Sequence, residues 1–144
     1  MLRFIMKDMP RFVIQEHHAG QLHWDFRLEM DGVLKSWAVP KEPPVEMGVK
    51  RLAIEVTDHD IDYIDFEGEI AEGYGKGIVK IWDSGTYEPE SMRSEKMVFA
   101  LKGRKLAGRY VLLLPKWSKG APEGKRQWLL FRASDTPKNK KKDK

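Results

Sequence analysis

The 144-residue chain contains no cysteine. That excludes a disulfide scaffold, a thiolate zinc site, an iron–sulfur cluster and a thiol nucleophile, and it fits a reducing, cytoplasmic compartment. No apolar run approaches the roughly 20 residues a membrane-spanning helix needs, so no membrane partner is expected. The opening MLRFIMKDMP lacks the apolar stretch and cleavage pattern of a signal peptide. Helical 3.6-residue periodicity and internal repeats are also missing. Histidine is scarce, with four residues, all in the first 60. Lys and Arg are absent from residues 52–75, which hold eight acids, whereas residues 76–132 carry 13 basic and five acidic side chains.

What is present describes one soluble folded domain, with 41% hydrophobic and 33% charged residues. The net charge of +4 resides in the tail from Pro137, with five lysines and one aspartate, so the rest of the chain is neutral. A basic half and a lysine-rich tail suit a polyanion, or serve solubility alone. Phe12 to Ile14 begin an apolar run that enters a strand. LHWDFRLEM (22–30) and VLKSWAV (33–39) flank Asp31-Gly32, the strongest short hairpin signal. Further strands are expected at 51–56, at 77–83 (closed by Ser84-Gly85), at 96–103 paired with 108–115, and at 127–133. Residues 57–76 read as an acidic, turn-rich segment. The spacing predicts an all-β barrel or sandwich over 11–134, after a leader at 1–10 and before a flexible basic tail at 135–144.

The chemistry is concentrated in HHAGQLHWDFR (17–27). On a strand, His23, Asp25 and Arg27 share one face, while Trp24, Phe26 and Leu28 share the other. The turn Ala19-Gly20-Gln21 can fold His17 or His18 back beside His23. Two imidazoles and a carboxylate without thiolate make a three-ligand site for Mn, Fe, Co or Zn. An adjacent Arg suits a phosphate, because its fork binds two oxygens. His59, in Thr-Asp-His-Asp, is expected to be held as imidazolium by its flanking aspartates, ready to act as general acid, phosphate clamp or ligand. A look-alike reading takes His23, Asp25 and His59 as the triad of a non-haem iron oxygenase. It leaves His17 without a role and supplies no basic residue after His59 for a co-substrate. Lys41 and Arg51 flank a proline-rich loop, and Tyr63 follows His59 by four residues; each could touch a phosphate. The glycines at 73, 75 and 77 match no phosphate loop and read as a turn. Trp37, Trp82, Trp117 and Trp128 read as core or barrel-end residues, one or two of which could stack on bases.

The stretch FVIQEHHAGQLHWDFRLEMDGVLKSWAVPKEPP (12–44) resembles the 3′-phosphoesterase domain of bacterial DNA ligase D. KRLAIEVTDHDIDYIDFEG (50–68), the 73–89 region, FALKGRKLAGRYVLLLP and QWLLFRA extend the resemblance over about residues 11–133. No ligase or polymerase module accompanies them, which suggests a free-standing member.

The resemblance implies a small antiparallel β-barrel. It also implies a divalent-metal site, Mn²⁺ first with Co²⁺ or Zn²⁺ as options, that removes a 3′-terminal ribonucleoside and then the 3′-phosphate, leaving a 3′-OH. Carried over by position, His17, His23 and Asp25 would hold the metal, and Arg27 and His59 the scissile phosphate. Tyr63, Lys41 and Arg51 would assist substrate binding, with Gln15 supporting the site. The implied partners are DNA 3′ ends and a separately encoded ligase or polymerase. Two features depart from the family pattern: the proline usual before the glycine turn is missing, and Thr57 stands where an acid often precedes Asp-His. Both bear on substrate-loop geometry. The alternative function is a non-catalytic nucleic-acid-binding barrel with a structural metal.

Overall fold

The computed structural model describes residues 9–73 and 76–135; the expected tail from 136, most of the leader and two residues of the glycine turn lie outside them. Among the described residues nine strands form: β1 (Arg11–His18), β2 (Leu22–Met30), β3 (Val33–Val39), β4 (Lys50–His59), β5 (Gly68–Ile70), β6 (Gly77–Met92), β7 (Lys96–Lys102), β8 (Ala107–Leu113) and β9 (Gln127–Arg132). They hydrogen-bond antiparallel in the order β1-β2-β3-β4-β9-β8-β7-β6, and β6 returns to β1 to close an eight-stranded barrel. Closure removes the free edges an open sheet would present. β5 lies outside the ring as an extra strand on β6. No α-helix occurs among the described residues, and no helix is long and apolar enough to cross a membrane.

The β2–β3 hairpin forms where Asp-Gly predicts it. Asp31 and Gly32 both take positive φ, 53° and 83°, as a two-residue turn with the twist of its flanking strands requires. Alternation then sends Phe12, Ile14, Phe26, Leu28 and Trp37 into the barrel, with Phe99, Leu112, Trp128 and Leu130 facing them from the far wall. A second, smaller cluster lies on the outside of the same wall. There Val13 and Leu34 pack against Ile64, with Ile61, Tyr63 and Ile81 around them. The residues that cover this outer patch belong mainly to a 3₁₀ turn, Ile61–Asp65.

Two strand boundaries differ from the sequence expectation. Ser84-Gly85 does not close a strand; β6 runs on through it to Met92. It changes partners there, pairing with β1 up to Thr86 and with β7 beyond. Gly85 makes this possible, because a Cβ there would collide with the Lys102 carbonyl. Asp83, only 5% exposed, secures the same corner by accepting hydrogen bonds from the backbone N–H groups of Arg104, Lys105 and Leu106. β4 likewise runs beyond residue 56, to His59. Its pairing with β3 shifts between Ser36↔Val56 and Leu34↔His59, so three steps on β4 match two on β3. This bulge gives His59 the position opposite Leu34 that Asp58 would otherwise hold.

A cavity of about 640 Å³ opens at one barrel mouth, lined by Trp37, Glu55, Met97, Arg126 and Trp128 among others. It lies inside the wall, whereas the polar cluster singled out from the sequence is built on the outside.

Candidate metal centre and phosphate site

Register decides which of the paired histidines joins the cluster. His17 lies directly opposite His23, whereas His18 lies opposite Leu22 and so faces the other way. The His17 and His23 rings are 4.8 Å apart between centroids. His18 is instead bonded through Nε2 to Glu16, at 2.6 Å, in an exposed pair. The structure therefore brings His17, and not His18, beside His23.

Asp25 sits between the two rings. Its carboxylate lies 3.1 Å from His23 Nε2 and 3.5 Å from His17 Nδ1. One ligand atom from each of His17, His23 and Asp25 falls within a 4.8 Å span. His23 Nδ1–H donates to the Gln21 carbonyl at 3.3 Å. This bond fixes the tautomer and leaves Nε2 facing the carboxylate, as a metal-ligating histidine requires. A lone pair and a carboxylate oxygen this close need a cation between them. The donor set therefore fits a divalent ion, and without one a proton is favoured: the hydrogen bond to Asp25 raises the His23 pKa against the opposing effect of burial. Burial pushes the Asp25 carboxyl up, but His23, Arg27 and His17 together outweigh it and hold it below its usual value.

Arg27, 3% exposed, continues the same face two residues along β2. Its Nε donates to Gln15 Oε1 at 2.6 Å and its Nη1 to Ser36 Oγ at 2.8 Å. Nη2 lies 3.5 Å from Asp25. Gln15, fully buried, turns its amide outward and donates to the carbonyls of Tyr63 and Phe66. The Tyr63 ring lies 5.0 Å from the Arg27 guanidinium and stacks on Phe66. One buried glutamine thus fixes both the arginine and the segment that covers it. Ser36 was not singled out from the sequence. It is the lone hydroxyl in β3 and stands opposite Arg27 in register, a signal visible only once the hairpin is paired.

His59 meets Arg27 from β4. Arg27 Nη1 lies 3.1 Å from His59 Nδ1, and the Thr57 carbonyl lies 3.2 Å from the same nitrogen, which accepts from Arg27 in one tautomer and donates to Thr57 in the other. The expected imidazolium is not favoured: burial, and next the Arg27 charge, lower the His59 pKa and outweigh the Thr57 carbonyl and the nearby carboxylates. Asp58 points elsewhere, pairing with Lys35 at 3.3 Å. His59 is engaged with Arg27 rather than placed in the metal-ligand cluster, so the oxygenase triad of His23, Asp25 and His59 is not formed.

The remaining candidates separate. Tyr63 is within the site, 5.0 Å from the His59 ring between centroids, and burial raises its pKa, so it stays a phenol and a donor. Arg51 donates instead to the Glu42 carbonyl at 2.7 Å, and Lys41 is exposed just beyond β3. The tryptophans divide too: Trp37 and Trp128 are core, Trp82 is partly buried under Lys105, and Trp117 is 67% exposed.

A family model described as the DNA ligase D 3′-phosphoesterase domain matches residues 15–114. The multifunctional non-homologous end joining protein LigD of Pseudomonas aeruginosa is 48% identical over 132 residues, covering 87% of this chain and 15% of that protein. The LigD of Mycobacterium bovis is 50% identical over 111 residues, covering 74% of the chain and 15% of that protein. The LigD of Mycolicibacterium smegmatis is 43% identical over 149 residues, covering 91% and 18%. The chain thus spans under one-fifth of the length of these relatives.

Proposed function

The chain belongs to the DNA ligase D 3′-phosphoesterase domain family, and from that premise we propose that it is a metal-dependent hydrolase of phosphoesters at DNA 3′ ends. Membership supports a role in DNA end processing. The observation that carries the finer reading is the continuous outer face on which His17, His23 and Asp25 adjoin Arg27 and His59.

In this reading His17, His23 and Asp25 hold one divalent ion, Mn²⁺ foremost. Such an ion supplies charge to a phosphoryl oxygen and lowers the pKa of water. Arg27 presents a fixed cation to the phosphate. Its contacts with Gln15 and Ser36 spare it from reorganising as charge develops. His59, in the tautomer that accepts from Arg27, donates a hydrogen bond from Nε2, and the Tyr63 hydroxyl is a further donor. Lys41 and Arg51 serve the nucleic acid farther from the scissile ester. Substrates are a 3′-terminal ribonucleoside and a 3′-phosphate, each processed to a 3′-OH for a separately encoded ligase or polymerase. The His23 side chain is 26% exposed, so the cluster keeps an open side. That favours catalysis over a closed structural metal site.

The test uses metal-stripped protein and two labelled primer-templates, one ending in a ribonucleotide and one in a 3′-phosphate. Each is incubated with Mn²⁺, Mg²⁺ or chelator, beside His23→Ala. Metal-dependent trimming and dephosphorylation, lost by more than about 100-fold in the variant, is the expected result. A folded, metal-loaded protein that turns over neither end would overturn the reading.

A further inference from the structure

Trp117 is 67% exposed, the most exposed of the large hydrophobic side chains among the described residues. Burying an indole is worth several kcal/mol in principle, so an indole displayed to solvent requires an explanation. It does not lie on a frayed loop. Lys116–Ser118 forms a 3₁₀ turn, with Ser118 N–H donating to the Pro115 carbonyl and Lys119 N–H to the Lys116 carbonyl. The next residue, Ser118, is 4% exposed, and its Oγ accepts a hydrogen bond from Gln127 N–H at 2.7 Å. The far end of the loop is tied to β4, with Gly124 N–H donating to Glu55 at 2.6 Å. A buried serine and two anchored ends thus hold the tryptophan outward.

The surroundings are cationic. Between Pro115 and Gln127 the chain carries Lys116, Lys119, Lys125 and Arg126 against Glu123 alone. Lys119 pairs with Glu95 and Arg126 with Glu55. Lys116 and Lys125 have no salt bridge among the described residues. An exposed aromatic flanked by lysines is the arrangement that stacks unpaired bases while attracting their phosphates. A protein partner would favour a larger apolar patch with fewer lysines. Glu55, to which the loop is tied, is four residues from His59 on β4, a span of about 13 Å along a strand.

We propose that Trp117 is a stacking platform for an unpaired base of single-stranded DNA, with Lys116 and Lys125 beside it as phosphate contacts. The inference rests on the DNA-end reading, which makes that strand the overhang of the processed end. Its test is separate from catalysis. Fluorescence anisotropy with a labelled 12-nucleotide single strand bearing a plain 3′-OH is measured in chelator, for wild type, Trp117→Ala and Trp117→Phe, and again with an abasic strand of the same length. Trp117→Ala should weaken binding of the normal strand roughly 5- to 100-fold. Trp117→Phe should restore part of it, and the abasic strand should not distinguish wild type from Trp117→Ala. Equal affinity of wild type and Trp117→Ala for the normal strand would overturn the proposal. So would an equal loss on the abasic strand. Loss of metal-dependent turnover with Trp117-dependent binding intact would instead remove the catalytic reading and leave the platform standing.

Discussion

The wall made by β1, β2 and β3 has two buried faces, and they meet the cost of burial differently. Phe12, Ile14, Phe26 and Leu28 on the inner face are fully buried. Gln15, Arg27 and Ser36 on the outer face are nearly as buried, at 0–3% exposure. Inside, stability comes from apolar contact that is non-directional and spread over many neighbours. Outside, every buried polar group needs a partner in a particular direction. The same strands therefore supply a tolerant core on one side and an over-determined geometry on the other. Over-determination is what an anion site needs, because a cation already fixed by Gln15 and Ser36 does not reorganise when charge arrives.

The largest test of this contrast uses adjacent residues of β2. Phe26→Ala should cost about 3–5 kcal/mol of stability, read from the urea midpoint, with residual activity scaling with the folded fraction. Asp25→Asn should cost less stability but reduce 3′-end hydrolysis by at least about 100-fold, with divalent-ion affinity by titration calorimetry falling alongside. A fully active Asp25→Asn protein would break the division between the faces.

A smaller effect is expected at Gln15, where the outer face can be given inner-face chemistry. Gln15→Met keeps the volume but leaves the Tyr63 and Phe66 carbonyls and Arg27 Nε without their partner. Stability should fall by about 1–3 kcal/mol. With Arg27 no longer fixed, kcat should fall roughly 10- to 100-fold in steady-state kinetics, beyond any change in KM. A Gln15→Met protein with normal kcat would show that Arg27 is positioned without it.

Much of this was legible in the sequence because a strand has period two. Alternation in LHWDFRLEM places His23, Asp25 and Arg27 opposite Phe26 and Leu28 whatever the fold, and Asp-Gly fixes the pairing of β2 with β3. The choice of His17 over His18 is a matter of register across a three-residue turn, which residue types do not specify. The bulge in β4 is likewise silent, so the charge of His59 was misjudged from its neighbours in sequence. Its effective neighbour is Arg27, 32 residues away. Gly85 read as a terminus because turns and close strand approaches both select glycine, and only the Lys102 carbonyl shows which applies.

The inner face has its own polar exception at the barrel mouth, and pH sharpens the comparison there. Burial pushes the Glu55 carboxyl up. The hydrogen bonds from Arg126, Trp128 Nε1 and Gly124 N–H together outweigh it and hold the pKa below its ordinary value. The folded state therefore binds this proton less readily than the unfolded chain. The resulting stabilisation is fully present above the unfolded-state value of about 4.5 and is lost as the pH falls through the folded-state value. Wild type should be more stable than Glu55→Gln at pH 7, and the gap between their urea midpoints should narrow below about pH 5. Asp25 also sits below its ordinary value, but it is present in both proteins, so the difference isolates Glu55. A gap independent of pH would mean that the glutamine loses only shape, and that the Glu55 charge adds nothing to its bonds with Arg126 and Trp128.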